Sequence, residues 1–220
     1  MSPVFIIAII AAYLIGSVPF GLLITAAHGK DLRTIGSGNI GATNVARALG
    51  KKWAYVCFAL DLLKGLVPML LAQPLLSTQT NNNYVTLLLL WLAVGCAAII
   101  GHIFPIYLKF KGGKGVATSF GVALGLWPYF TISALFAVSI WLVVVLIWRY
   151  VSLASIVASV AFPIFLLSTI SLKQSWQFAS LWPLVVASVA IPLMVIIRHR
   201  ENVKRLLAGT EHKIHEKNKK

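Results

Sequence analysis

Three stretches far apart in the chain carry residue types suited to holding an anion. "GSGNIGATNVAR" at 36–47 combines glycines with Ser37, Asn39, Gly41, Thr43, Asn44 and Arg47. Glycine-rich backbone running into a helix presents N–H groups, the helix dipole favours negative charge there, and arginine binds phosphate through two parallel hydrogen bonds. "GHIFPIYLKFKGGKGVATSF" at 101–120 brings His102, Lys111, Gly112, Gly113, Lys114, Gly115 and Thr118 into a second glycine-rich turn before an apolar run. "RHRENVKRLLAGTEH" at 198–212 sets His199 and Asn202 three residues apart, on one face of a helix. Asp61 and Lys64 are likewise three apart inside an apolar run, and Ser152 opens another in "RYVSLAS" at 149–155.

Each motif taken alone has a plainer reading. The first is also a loop with helix-capping residues, the lysines of the second are also topogenic charges, and a lone histidine at the place of His199 is more often structural than catalytic. Ser152 at the start of a helix reads as a cap. Asp61 and Lys64 read either as a functional pair or as a buried structural one, since pairing offsets a cost of roughly 2.5 to 3.5 kcal/mol for each intramembrane charge.

Spacing excludes a nucleotide loop of the Walker type. Leu108 stands where that loop needs its first glycine, and Gly115 rather than Ser or Thr follows Lys114. No strand is predicted before it, and no acidic magnesium ligand is in prospect. The set contains no acid pair, metal cluster or thiol nucleophile, so neither a metal nor a cofactor is expected. It suits the binding of two phosphates and a reaction with a good leaving group better than metal-assisted hydrolysis. Cys57 and Cys96 fall in apolar runs and read as packing residues.

The elements that position these residues follow from composition. The chain has 220 residues, 59% hydrophobic and 11% charged, with a mean hydropathy of +0.89, which is the profile of an integral membrane protein. Apolar runs cover 3–27, 53–76, 84–100, 116–148, 151–172 and 178–197. The fourth is too long for one crossing, and Pro128 between Trp127 and Tyr129 is expected to break it in two. The expectation is an all-α, seven-transmembrane-helix bundle forming a single domain over 1–220, with a basic tail from about 212 to 220. With seven spans, every Lys and Arg except Lys64 and Lys173 falls on one side. That puts the C-terminus in the cytoplasm and the N-terminus outside it. All three polar motifs then meet one face. The first run lacks a basic leader and a small-residue cleavage site, so it is expected to stay as a helix. A net charge of +14 favours anionic partners, namely lipid head groups or phosphate compounds. Nucleic acid fits charge alone and is not expected.

These motifs resemble the bacterial acyl-phosphate:glycerol-3-phosphate acyltransferase family of the PlsY type. The resemblance rests on "SGNIGATNVAR" at 37–47, "GHIFPIYLKFKGGKGVAT" at 101–118 and "RHRENVKRLLAGTE" at 198–211, in order, with "LDLLKG" at 60–65 and "RYVSLAS" beside them. The chain departs from the family at Val203, in the "STQTNNN" stretch at 77–83 and in the basic extension after Glu211. The resemblance implies transfer of a fatty acyl group from acyl phosphate to the 1-hydroxyl of glycerol 3-phosphate at the cytoplasmic face of the bacterial inner membrane. Its products are lysophosphatidic acid and phosphate, and a soluble partner enzyme supplies the donor. It further implies that Ser37, Arg47, Lys114, His199 and Asn202 bind glycerol phosphate and orient its hydroxyl. Asn39, Thr43, the 112–115 segment and Ser152 would hold the acyl phosphate or its oxyanion. Gly41, Asn44, Asp61, Lys64, His102, Lys111 and Thr118 complete the candidate substrate-binding set. The general base is either His199 or an oxygen of the substrate phosphate. The His-x4-Asp box of other glycerolipid acyltransferases is absent, since Tyr107 and Lys204 stand five residues after His102 and His199. An organic-phosphate transporter or channel is the rival reading, with Asp61 and Lys64 lining its path.

Overall fold

The computed structural model describes residues 3–77 and 83–214, all helix, turn and loop. The part of the basic tail from 215 onward and the loop residues 78–82 lie outside the described residues. Contacts divide the chain into two compact units, Met1–Trp127 and Pro128–Lys220.

The first unit holds α1 (Pro3–Ser17), α2 (Phe20–Ala26), α3 (Ala42–Leu49), α4 (Lys51–Ser77), α5 (Tyr84–Ile103) and α6 (Val116–Gly125). Pro19, which has no N–H to continue the ladder, separates α1 from α2 inside the first apolar run. At the start of α5 the Asn83 side chain accepts from Thr86 N at 2.9 Å, a helix-capping bond. This helix is the most buried of the unit: Leu88, Trp91, Val94, Ala98 and Ile99 are all enclosed. The Trp91 indole donates to the Met69 carbonyl at 3.0 Å, so the apolar ring is buried without a stranded donor. Two glycines set the approach of α6 to α4. A Cβ at Gly65 would collide with the Thr118 carbonyl, and one at Gly121 with the Leu62 carbonyl.

In the second unit, α7 (Tyr129–Trp148), α8 (Val151–Leu172) and α9 (Phe178–Arg198) pack in sequence, and α10 (Arg200–Leu207) lies against α8 and α9. Aromatic pairs link α7 to α8: Phe130 meets Phe162 edge-on at 5.1 Å and Phe136 stacks on Phe165 at 5.0 Å.

Among the described residues, six helical segments are long and apolar enough to cross a membrane. Side chains such as Leu146, 76% exposed, and Leu71, 64% exposed, are unpaid apolar surface in water and ordinary surface in lipid. The chain is a multi-pass membrane protein. The expected break at Pro128 is present, with α6 ending at Gly125 and α7 starting at Tyr129. However, α6 has ten residues, about 15 Å of helix, against a hydrocarbon core of about 30 Å. By length alone it does not make a seventh crossing.

Candidate functional site

The first motif folds around one buried amide. Asn44, 2% exposed in the first turn of α3, donates through Nδ2 to the carbonyls of Leu32 and Ile35 at 3.1 and 2.9 Å. Its Oδ1 accepts from Ser37 N at 3.1 Å. Leu32, Val45, Ala48 and Cys57 form a buried apolar cluster, so the cysteine is packing, as expected. Asn44 therefore shapes the turn from within, while Ser37, Thr43 and Arg47 are exposed. Gly36 has a φ of +57°, and a Cβ there would lie 2.5 Å from Asn44 Oδ1 and 3.0 Å from Arg47 Cδ. The missing side chain lets Arg47 pass close over Gly36. Asn39 Oδ1 accepts from Gly41 N at 3.0 Å, and Gly41 starts α3 without a capping side chain. Just before the motif, Asp31 caps the short 3-10 turn Leu32–Thr34. Hydrogen bonds from Arg33 hold its carboxyl down to about 2.

The second motif forms a closed backbone loop. Gly112 N donates to Ile103 O and Gly113 N to His102 O, both at 3.1 Å. These two N–H groups serve the loop itself, so Gly112 and Gly113 do not offer them to the expected anion nest over 112–115. Lys111 is exposed and Lys114 half-buried. Gly115, with a φ of +87°, directs the chain into α6. Behind the loop are Asp61, Lys64, His102 and Thr118, each at most 5% exposed. Lys64 Nζ lies 2.6 Å from Asp61 Oδ1, and Thr118 Oγ1 donates to the Asp61 carbonyl at 3.0 Å. Their place is the framework under the loop rather than its surface.

The third motif converges on a carboxylate. Glu211, 8% exposed, accepts at Oε1 from Ser152 Oγ (2.7 Å) and Asn202 Nδ2 (2.6 Å), and at Oε2 from Arg205 Nε (2.7 Å). Burial pushes this carboxyl up, but the bonds from Asn202, Arg205 and Ser152 outweigh it and hold the group below its ordinary range. His199, 2% exposed, stands at the bend between α9 and α10 with Nδ1 2.8 Å from the Val195 carbonyl. A carbonyl only accepts, so Nδ1 carries the proton in the neutral ring and Nε2 is the acceptor nitrogen.

In each motif a buried polar side chain, Asn44, His102 or Asn202, takes part in the local hydrogen bonding or packing. The family model for glycerol-3-phosphate acyltransferase matches residues 6–209. A glycerol-3-phosphate acyltransferase of Geotalea daltonii is 46% identical over 207 residues, 94% of this chain and 96% of the relative. The chain belongs to the glycerol-3-phosphate acyltransferase family. The Aquifex aeolicus glycerol-3-phosphate acyltransferase is 44% identical over 207 residues, 93% of this chain and 96% of that one. Two crystal structures of PlsY, an integral membrane glycerol 3-phosphate acyltransferase, share the fold. The glycerol 3-phosphate form has a TM-score of 0.80 at 40% identity, covering 96% of each chain. The lysophosphatidic acid form has a TM-score of 0.77 at 39% identity, covering 96% of this chain and 95% of that one.

Within this acyltransferase-family chain, Glu211 is the residue that sequence reasoning passed over. It was legible only as one acid beyond a basic helix. The usable signal was Gly209, whose φ of +68° ends α10 and turns the chain back toward Asn202 and Ser152.

Proposed function

We propose that this chain transfers a fatty acyl group from acyl phosphate to the 1-hydroxyl of glycerol 3-phosphate, releasing 1-acyl-glycerol 3-phosphate and phosphate. The carrying observation is the exposed Ser37–Arg47 turn held by Asn44, in a family whose solved members include glycerol 3-phosphate and lysophosphatidic acid forms at about 40% identity. Ser37, Arg47, Lys114, His199 and Asn202 bind the acceptor. Asn39, Thr43, the opening turn of α6 after Gly115 and Ser152 bind the donor phosphate and the oxyanion, with Gly41 and Lys111 beside them.

The hydroxyl oxygen attacks the acyl carbonyl carbon, a tetrahedral oxyanion forms, and the bond from that carbon to the phosphate oxygen breaks. Acyl phosphate is a mixed anhydride, so no protein nucleophile is needed. Orientation of the two substrates is worth up to roughly 7 to 11 kcal/mol, and fixed donors stabilise the oxyanion. The hydroxyl proton passes to a phosphate oxygen of the substrate. The acyl chain stays among the membrane helices while both phosphates remain at the interface.

The topology that goes with this reading has seven spans, α6 and its flanking loops making the short one, and 1–220 working as one acyltransferase domain. The distribution of lysine and arginine supports it, because an odd span count gathers the basic loops on one side. The active face is cytoplasmic, in the inner membrane, and a soluble enzyme hands over the acyl phosphate. Purified protein given labelled glycerol 3-phosphate with palmitoyl phosphate or palmitoyl coenzyme A tests the reading. Labelled lysophosphatidic acid from the phosphate donor alone is expected. Transfer from the thioester instead overturns the donor assignment, and transfer from neither points to transport.

A further inference from the structure

The ionisable groups behind the glycine loop have geometry that the substrate-contact reading leaves unused. Asp61 Oδ1 is 2.6 Å from Lys64 Nζ and 3.7 Å from His102 Nδ1. The second distance is an electrostatic contact rather than a hydrogen bond. Lys64 Nζ also donates to the Val18 carbonyl at 2.9 Å, at the break before Pro19, and Cys57 Sγ lies 3.7 Å from Asp61 Oδ2. Asp61 and Lys64 are each 3% exposed and His102 5%, so these contacts are made with little competition from water.

This cluster reaches the two ends of the segment that carries Lys114. At one end His102 accepts Gly113 N through its carbonyl, and its ring occupies the place of a Gly113 side chain, since a Cβ there would collide with His102 Nε2. At the other end Thr118 in α6 is tied to the Asp61 carbonyl. The segment 113–118 is therefore tied at one end to the His102 carbonyl, with the imidazole packed against Gly113 and 3.7 Å from the Asp61 carboxylate, and at the other end to the Asp61 carbonyl through the Thr118 hydroxyl. The side chain that gives a glycine its reason at 113 is the one that faces the buried carboxylate.

We propose that Asp61 and His102 are positioning residues: the carboxylate sets the rotation of the imidazole, and the imidazole sets Gly113 and so the direction of Lys114, without either group touching substrate. This rests on the reading that Lys114 holds glycerol phosphate, and Lys114→Ala is the control for that reading.

The test is steady-state kinetics on purified enzyme together with thermal unfolding midpoints. Asp61→Asn, His102→Ala, His102→Asn, Gly113→Ala and the Asp61→Asn/His102→Ala double variant are compared. His102→Ala is expected to raise KM for glycerol 3-phosphate at least about tenfold, with a smaller change in kcat. His102→Asn, which keeps an N–H toward Asp61, is expected to recover much of that loss. The double variant is expected to be no worse than His102→Ala alone, because the carboxylate acts through the ring. Should Asp61→Asn fail to fold with Lys64 uncompensated, Asp61→Asn/Lys64→Met removes both charges and is expected to show the same raised KM. Altered unfolding midpoints with KM unchanged, or additive losses in the double variant, overturn the proposal. An unchanged KM in Lys114→Ala sinks the underlying site reading instead, whatever the His102 variants do.

Discussion

Glu211 Oε1 accepts hydrogen bonds from Asn202 and from Ser152 at once, at 2.6 and 2.7 Å, so one carboxylate oxygen orients two side chains assigned to different substrates. Glu211→Gln keeps an oxygen but loses the charge that also holds Arg205. A charge-assisted bond of this kind is worth about 1.5 to 3 kcal/mol. The variant is expected to unfold at lower temperature and to lose at least about tenfold in kcat/KM, measured by thermal scans in detergent and by product formation. Parent-like behaviour in both would show that the clamp does not orient the site.

The same carboxylate gives a pH dependence with a definite sign. Its pKa is lowered from the ordinary 4.5 in the folded chain, so folding favours the ionised form. That contribution is fully present above about 4.5 and is lost as pH falls below it toward the lowered folded value. Thermal midpoints of the parent and Glu211→Gln measured downward from neutral pH are therefore expected to converge on acidification. A gap that widens in acid would contradict the assignment.

Arg47→Ala and Lys114→Ala each remove a cation assigned to phosphate. Losses of about 1.5 to 3 kcal/mol correspond to roughly tenfold to 150-fold in kcat/KM. Arg47→Lys is expected to recover only part, because an ammonium does not reproduce the planar two-point fork. Activity retained by both alanine variants would remove the phosphate assignment.

His199 carries its proton on Nδ1, directed at the Val195 carbonyl, which leaves Nε2 as the nitrogen able to take a proton. With the substrate phosphate as base, His199→Gln is expected to keep kcat within about tenfold of the parent. A loss of 10²-fold to 10⁴-fold, the usual worth of a positioned general base, would assign that role to His199.

Asn44→Asp is nearly isosteric yet replaces the donors to Leu32 and Ile35 with oxygen. Two carbonyls then face a carboxylate in a buried site, and a destabilisation of about 1 to 3 kcal/mol or more is expected, with KM for glycerol 3-phosphate raised. Denaturant midpoints and kinetics check it. An unaffected KM would mean that the turn holds its shape without Asn44.

The helices, the break at Pro128 and the membrane setting were legible in the sequence, because they rest on short-range physics. Runs of apolar residues must be helical in lipid, and proline interrupts a ladder. What each residue does inside the polar motifs was not legible. Asn44, His102 and Thr118 share their motifs with exposed residues, and composition does not distinguish a side chain that points at a ligand from one that points at a neighbouring carbonyl. Gly113 offers an N–H to an anion in sequence and gives it to His102 in the fold. Asp61 and His102, 41 positions apart, meet only because α4 and α5 pack, and Glu211 reaches Ser152 across a separation of 59. Such contacts depend on the register between helices, which side-chain packing decides and no local pattern encodes.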